Sequence, residues 1–120
     1  MPDQTVNVSF DPTATPQFTF DPSSVTMTSA GKIILIQKPA NATWAFSSPG
    51  ALVKNDSLNE FSASRQGNGQ SVQINDLFLD PKGAKVTYNY NCTVTLNNQT
   101  YTSPDPEIIN DPGSSDPRTP

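Results

Sequence analysis

Side chains able to do chemistry are few in this chain. Its 120 residues include no histidine and one cysteine, Cys92. Ser–His and Cys–His pairs are therefore out of reach, because a hydroxyl or thiol nucleophile needs a base beside it. Ser–Lys pairs remain open, but Lys32, Lys38, Lys54, Lys82 and Lys85 are scattered among turns and form no motif. Cys92 stands in a row with Tyr88, Tyr90, Val94 and Leu96 at a spacing of two, and no Lys or Arg is near it in sequence. A reactive thiol needs exposure and a nearby positive group. A small buried hydrophobe is the expected role of Cys92.

The carboxylates come with prolines. Asp11-Pro12, Asp21-Pro22, Asp80-Pro81, Asp105-Pro106, Asp111-Pro112 and Asp116-Pro117 use half of the 12 prolines. Aspartate before proline starts turns by hydrogen-bonding to nearby backbone. There is no EF-hand spacing and no dense run of acids. Loops around Asp76 and Asp80 are where a weak calcium site would be sought, with turn formation the plainer use. No metal and no cofactor is expected, and no catalytic residues are assigned.

Two sets of side chains could meet a partner. Trp44 could offer an aromatic surface to a sugar, although Trp44, Tyr88, Tyr90 and Tyr101 all sit at period two, as core residues do. The uncharged row Thr87, Asn89, Asn91 and Thr93 faces away from the apolar row and could bind a glycan or a protein. A solvated sheet face is its plainer role. Trp44, Thr87, Asn89, Asn91 and Thr93 are thus the candidate ligand or partner face.

Charge narrows the partners. Residues 1–103 hold seven acids against six bases, and residues 104–120 hold four against one. The body is nearly neutral and the tail acidic, without the Lys/Arg cluster that nucleic acid or an anionic membrane requires. Neither of those partners is expected. A single cysteine allows no internal disulfide and suits a reducing compartment. Met1 to Thr5 carries no basic or apolar run, so a signal peptide is not expected and the location expected is cytoplasmic. The sequons at Asn7, Asn41, Asn55, Asn91 and Asn98 are given no meaning in a chain so rich in Asn, Ser and Thr.

The elements that must position these residues are strands. Thr5–Phe10, Gln17–Phe20 and Ser24–Thr28 alternate apolar and polar side chains, and Phe10-Asp11-Pro12 and Phe20-Asp21-Pro22 end two of them alike. Ile33-Ile34-Leu35-Ile36 reads as a buried central strand. Thr43–Phe46 is a strand closed by a loop over residues 47–50. Residues 51–59 read as a crossover or a turn of helix. A short strand at Phe61, a turn at Gly67-Asn68-Gly69 and a strand through Val72 and Ile74 follow. Asp80-Pro81-Lys82-Gly83 fits a type I turn. Val86 to Leu96 alternates without a break, and Asn97-Asn98 turns it into a returning strand over 99–102. Ile108 and Ile109 could add an edge strand. Residues 1–110 are read as one domain, and 111–120 as a flexible, acidic, Pro-rich tail with nothing to bury.

Seven or eight short strands at ten-residue spacing, with no amphipathic helix, describe an all-β fold: a single Greek-key β-sandwich. Trp44 followed by Tyr90-Asn91-Cys92 resembles the core Trp and Tyr-x-Cys strand of immunoglobulin-like sandwiches, and implies that architecture. Phe20 to Val25 leading to Gly31, together with Tyr90-Asn91-Cys92, resembles cupredoxin-like sandwiches. Their copper site takes two His and a Cys, so without His only the architecture carries over. The Asp-Pro pairs and the ending Tyr101 to Pro112 resemble the small bacterial proteins of the DP-EP type, a resemblance that implies no activity. The function expected is a non-catalytic interaction or structural module, through a protein partner or self-association. A small-ligand or carbohydrate-binding domain is the alternative.

Overall fold

The computed structural model describes residues 3–81, 83 and 85–113. These form an all-β sandwich of two sheets, with ten strands rather than the seven or eight expected. One sheet has the order β2 (Phe18–Asp21), β1 (Gln4–Phe10), β4 (Gly31–Lys38), β7 (Ser71–Asp76), β6 (Phe61–Gln66). The other runs β3 (Ser24–Met27), β10 (Glu107–Asn110), β8 (Val86–Leu96), β5 (Ala45–Val53), with β9 (Gln99–Thr102) paired to the far end of β8. β1 pairs with β4 and β3 with β10 in parallel; the other pairings are antiparallel.

Alternation builds the core. Val6, Val8 and Phe10 of β1, Ile33 and Leu35 of β4, and Val72 and Ile74 of β7 face inward from the first sheet. Val25, Met27, Phe46, Tyr88, Tyr90, Cys92, Val94 and Ile108 meet them from the second. β4 is central, as its apolar run suggests, but Ile34 and Ile36 lie on its outer face and only half-buried. Strand geometry sends neighbouring side chains to opposite faces, so a continuous apolar run still divides in two.

Three segments differ from expectation. Residues 47–50 are not a loop: β5 passes through them to Val53. Phe46 pairs with Val94 and Ala51 with Cys92, so three extra residues bulge out of β5. The bulge presses Gly50, at φ +95°, against β7, where a Cβ would fall 2.3 Å from a Val72 methyl. Second, β10 is an interior strand between β3 and β8. Residues 99–110 run along β8 as one ribbon, interrupted over Ser103–Pro106 but still bonded there by Ser103 N–H to Cys92 O and Tyr90 N–H to Pro106 O. Third, backbone bonds continue past residue 110: Asp111 N–H donates to Met27 O, and Gly83 N–H to Gly113 O. The remainder of the expected tail, 114–120, lies outside the described residues, as does Lys82 of the expected type I turn. Asn97 and Asn98 both take positive φ, 52° and 64°, as a two-residue hairpin turn requires.

Candidate functional site

The expected partner face is divided between inside and outside. Trp44 is buried in the sandwich, edge-on to Phe46 at 5.3 Å and to Phe10 at 6.1 Å. Its indole is therefore no surface for a ligand, a correction to that part of the face. Its carbonyl accepts from the side-chain amide of Gln37, which helps hold this stretch against β4. Thr87, Asn89, Asn91 and Thr93 stand together on the outer face of β8, and two of them are already engaged. Asn91 Nδ2 donates to Ser103 O at 2.8 Å and to Asp105 Oδ1 at 2.7 Å, and Asn89 Nδ2 to Asp105 O at 3.3 Å. Lys54 Nζ completes this surface network 3.0 Å from Asp105 Oδ1. Cys92 is fully buried, and burial pushes its thiol far above the usual range.

A different set of residues forms the chemically unusual place in the molecule. Glu60, Asp76, Asp80, Tyr88 and Asn110 are all buried and meet at one end of the sandwich, between the two sheets. The Asp56 side chain sets Glu60 in place by accepting from the Glu60 and Phe61 N–H groups at 3.0 and 3.1 Å. Asp76 ends β7, and its Oδ1 accepts from Phe78 N–H at 2.9 Å. Phe78 sits at φ +59°, a conformation that bulky residues rarely adopt and that costs on the order of 1–2 kcal/mol. The strained turn aims Leu79 N–H at Glu60 Oε1, 3.0 Å away, and returns Asp80 to the cluster. Tyr88 comes from β8, with its ring edge-on to Phe61 at 4.8 Å. Asn110 closes β10.

Counting hydrogens shows what the cluster holds. Tyr88 Oη lies 2.8 Å from Glu60 Oε2 and 2.6 Å from Asp80 Oδ2. A phenol has one hydrogen to donate. When Tyr88 gives it to one carboxyl, the other must donate to the phenol oxygen or face it lone pair to lone pair. Satisfying both contacts at once takes a proton on one of the two carboxyls. Burial, then the contact with Asp80, pushes Glu60 up to about 7, while its contacts with Tyr88 and Leu79 partly oppose the rise. Burial also works to raise Asp80, but its close contacts with Tyr88, Asn110 and Glu60 outweigh it and hold Asp80 below its usual value. Held on Glu60, the group whose value is raised, that proton lets Glu60 donate to Tyr88 and Tyr88 to a charged Asp80. The 2.6 Å contact is the shorter one, as a charged acceptor makes it. Burial foremost raises Asp76 too, against the hydrogen bonds from Phe78 and Asn110.

Asn110 Nδ2 stands amid the three acids, 3.0 Å from Glu60 Oε1, 3.2 Å from Asp76 Oδ1 and 2.8 Å from Asp80 Oδ1. A hydrogen-bond donor thus fills the point where a cation would be held. Among the described residues, no group of three or more His, Cys, Asp or Glu side chains is disposed to hold a metal ion. Asp76 and Asp80, considered for a weak calcium site, both accept from Asn110 Nδ2. Three grooves on the described surface are lined by residues other than these five.

The model of the DP-EP family matches residues 2–112. The chain belongs to the DP-EP family. The matched span of this DP-EP chain takes in both sheets and all five residues of the cluster. No curated protein matches it. Among the described residues, no helix is long and apolar enough to cross a membrane.

Sequence reasoning placed Tyr88 in the core, treated Asp80 as a turn former, and named Asp76 only with Asp80 for a weak calcium site. It passed over Glu60 and Asn110. One signal was present: an inward-facing tyrosine must find a partner for its hydroxyl, and the acids of the neighbouring loops are the partners at hand.

Proposed function

We propose that this chain is a non-catalytic interaction module of the cytoplasm that engages a protein partner along the side where β5 and β6 lie. The carrying observation is the contrast between what is sealed and what is displayed. The acids, the thiol and Tyr88 are buried, whereas Leu52, Leu58, Leu77 and Leu79 are 66%, 43%, 59% and 53% exposed. Leu52 lines a groove of about 300 Å³ between β5 and β6, with Ala51, Val53, Phe61 and Ala63 along its walls and Asp56 and Asn59 at its end. Leu58 and Leu77 belong to neighbouring connections, since Leu77 N–H donates to Glu60 O at 2.8 Å. A groove between strand edges that mixes apolar side chains with Asp56, Asn59 and Ser62 fits an extended peptide segment that sets alternate side chains into it. The small-ligand alternative used Trp44 or the Asn/Thr face, and the burial of Trp44 leaves it that face alone.

A photo-reactive amino acid placed at position 52 tests this in the native host, with position 87 on the polar face as the control. A discrete protein adduct from position 52 and none from position 87 is expected. An adduct of twice the chain mass would name a second copy as the partner. Equal labelling from both positions, or turnover of a substrate abolished by one point change, would overturn the proposal.

A further inference from the structure

We propose that Glu60, Tyr88 and Asp80 form a proton-operated latch that holds the β7–β8 connection against the end of the sandwich and frees it when the shared proton leaves. This inference does not depend on the partner proposed above. The connection runs from Asp76 at the end of β7 to Val86 at the start of β8. Its anchors among the described residues are the Leu77 N–H on Glu60 O, the Phe78 side chain packed against the core, and a small set of further bonds. Phe78 and Leu79 N–H groups bond to Asp76 and Glu60, Asp80 bonds to Tyr88 and Asn110, and Gly83 N–H bonds to Gly113 O. Leu77 and Leu79 point outward and add little apolar burial to hold it.

The groups that meet at the latch come from every element packed there: Glu60 ahead of β6, Asp76 on β7, Asp80 in the connection, Tyr88 on β8 and Asn110 on β10. Among the described residues, no lysine or arginine hydrogen-bonds or ion-pairs to them; the ion pair found is Lys54–Asp105, on the β8 face. With the proton present, Glu60 donates to Tyr88 and Tyr88 to Asp80, an unbroken chain. Once it is lost, two carboxylates stand within 2.8 Å of one phenol oxygen that has a single hydrogen to give. Like charges this close cannot both stay ionised in a buried site. Asp80 is the member that can leave. It lies in a loop, whereas Glu60 is held by Asp56 and Leu77 through its backbone and Tyr88 by the centre of a sheet. The strained φ of Phe78 favours release, because opening relieves it.

Amide hydrogen exchange of the whole chain at pH 5.5 and pH 8 tests the latch, after correction for intrinsic exchange rates. Protection of the Leu79 and Gly83 amides is expected to fall at least tenfold at pH 8, with the central strand Gly31–Lys38 unchanged. Glu60→Gln should keep the acid-state protection at both pH values, because a Gln amide donates to Tyr88 as a protonated Glu does. Asp80→Asn should do the same through its own amide, and serves if Glu60→Gln does not fold. Equal protection of the Leu79 and Gly83 amides at both pH values in the native chain would overturn the latch. So would a loss spread evenly over every strand, or a folded variant that opens at pH 8 as the native chain does.

Discussion

Moving from pH 5 to pH 8 should lower the stability of this protein, although it is acidic overall and carboxylates are commonly stabilised by ionising. The folded chain keeps Glu60 protonated up to about 7, against an ordinary value of 4.5. Over that interval the folded state binds a proton that the unfolded state has released. Stability is therefore fully present below 4.5 and lost as pH rises through 7. A gap of about 2.5 units at ~1.36 kcal/mol each is roughly 3 kcal/mol, most of it falling between pH 5 and pH 8. Asp76, also raised, adds to the loss. Asp11, Asp80 and Asp105 are lowered, so they titrate below this window and leave its slope alone. At ~2.1 cal/mol/K of unfolding entropy per residue, the melting temperature should fall by on the order of 10 °C. Calorimetry at constant ionic strength measures this directly. The same scan on Glu60→Gln should be nearly flat, meeting the native chain at pH 5 and exceeding it at pH 8. A native melting temperature that holds steady or rises from pH 5 to pH 8 would refute the shared proton as the source of the pH dependence.

Further expectations follow from other parts of the fold. Gly50→Ala sets a methyl 2.3 Å from a Val72 methyl at a φ that L-residues rarely adopt, and should cost about 3 kcal/mol or more in urea denaturation. Cys92 should resist an aromatic disulfide reagent at pH 8 while folded and react fully once denatured; prompt labelling of the native chain would contradict its burial. A chain ended at Asn110 loses the bonds of Asp111 and Gly113, about 1 kcal/mol each, and brings a terminal carboxylate close to the acids. It should melt several degrees below a chain ended at Gly113, and equal melting temperatures would show that those bonds add nothing.

The strands were legible because period two is written directly into the sequence. β8 begins and ends where its alternation does, at Val86 and Leu96, and the Asn97-Asn98 turn lies where two left-handed residues are needed. What alternation cannot carry was missed. The β5 bulge inserts residues that break the period, so Pro49-Gly50 reads as a loop although Gly50 lies against the core. β10 is too short to declare its place, which is set by the pairing of two other strands on either side of it. Glu60, Asp76, Asp80 and Asn110 are brought together from distant positions, with partners up to 50 residues apart. Only sheet packing decides that they meet. The proton they share is a property of that meeting and of no residue alone.

The most direct test of the shared proton is a titration of the Glu60 side-chain carboxyl carbon by NMR in the folded chain, assigned by comparison with Glu60→Gln. A midpoint near 7, with the Tyr88 ring signals moving in the same step, is the expected result. A midpoint near 4.5, with Tyr88 undisturbed, would contradict it.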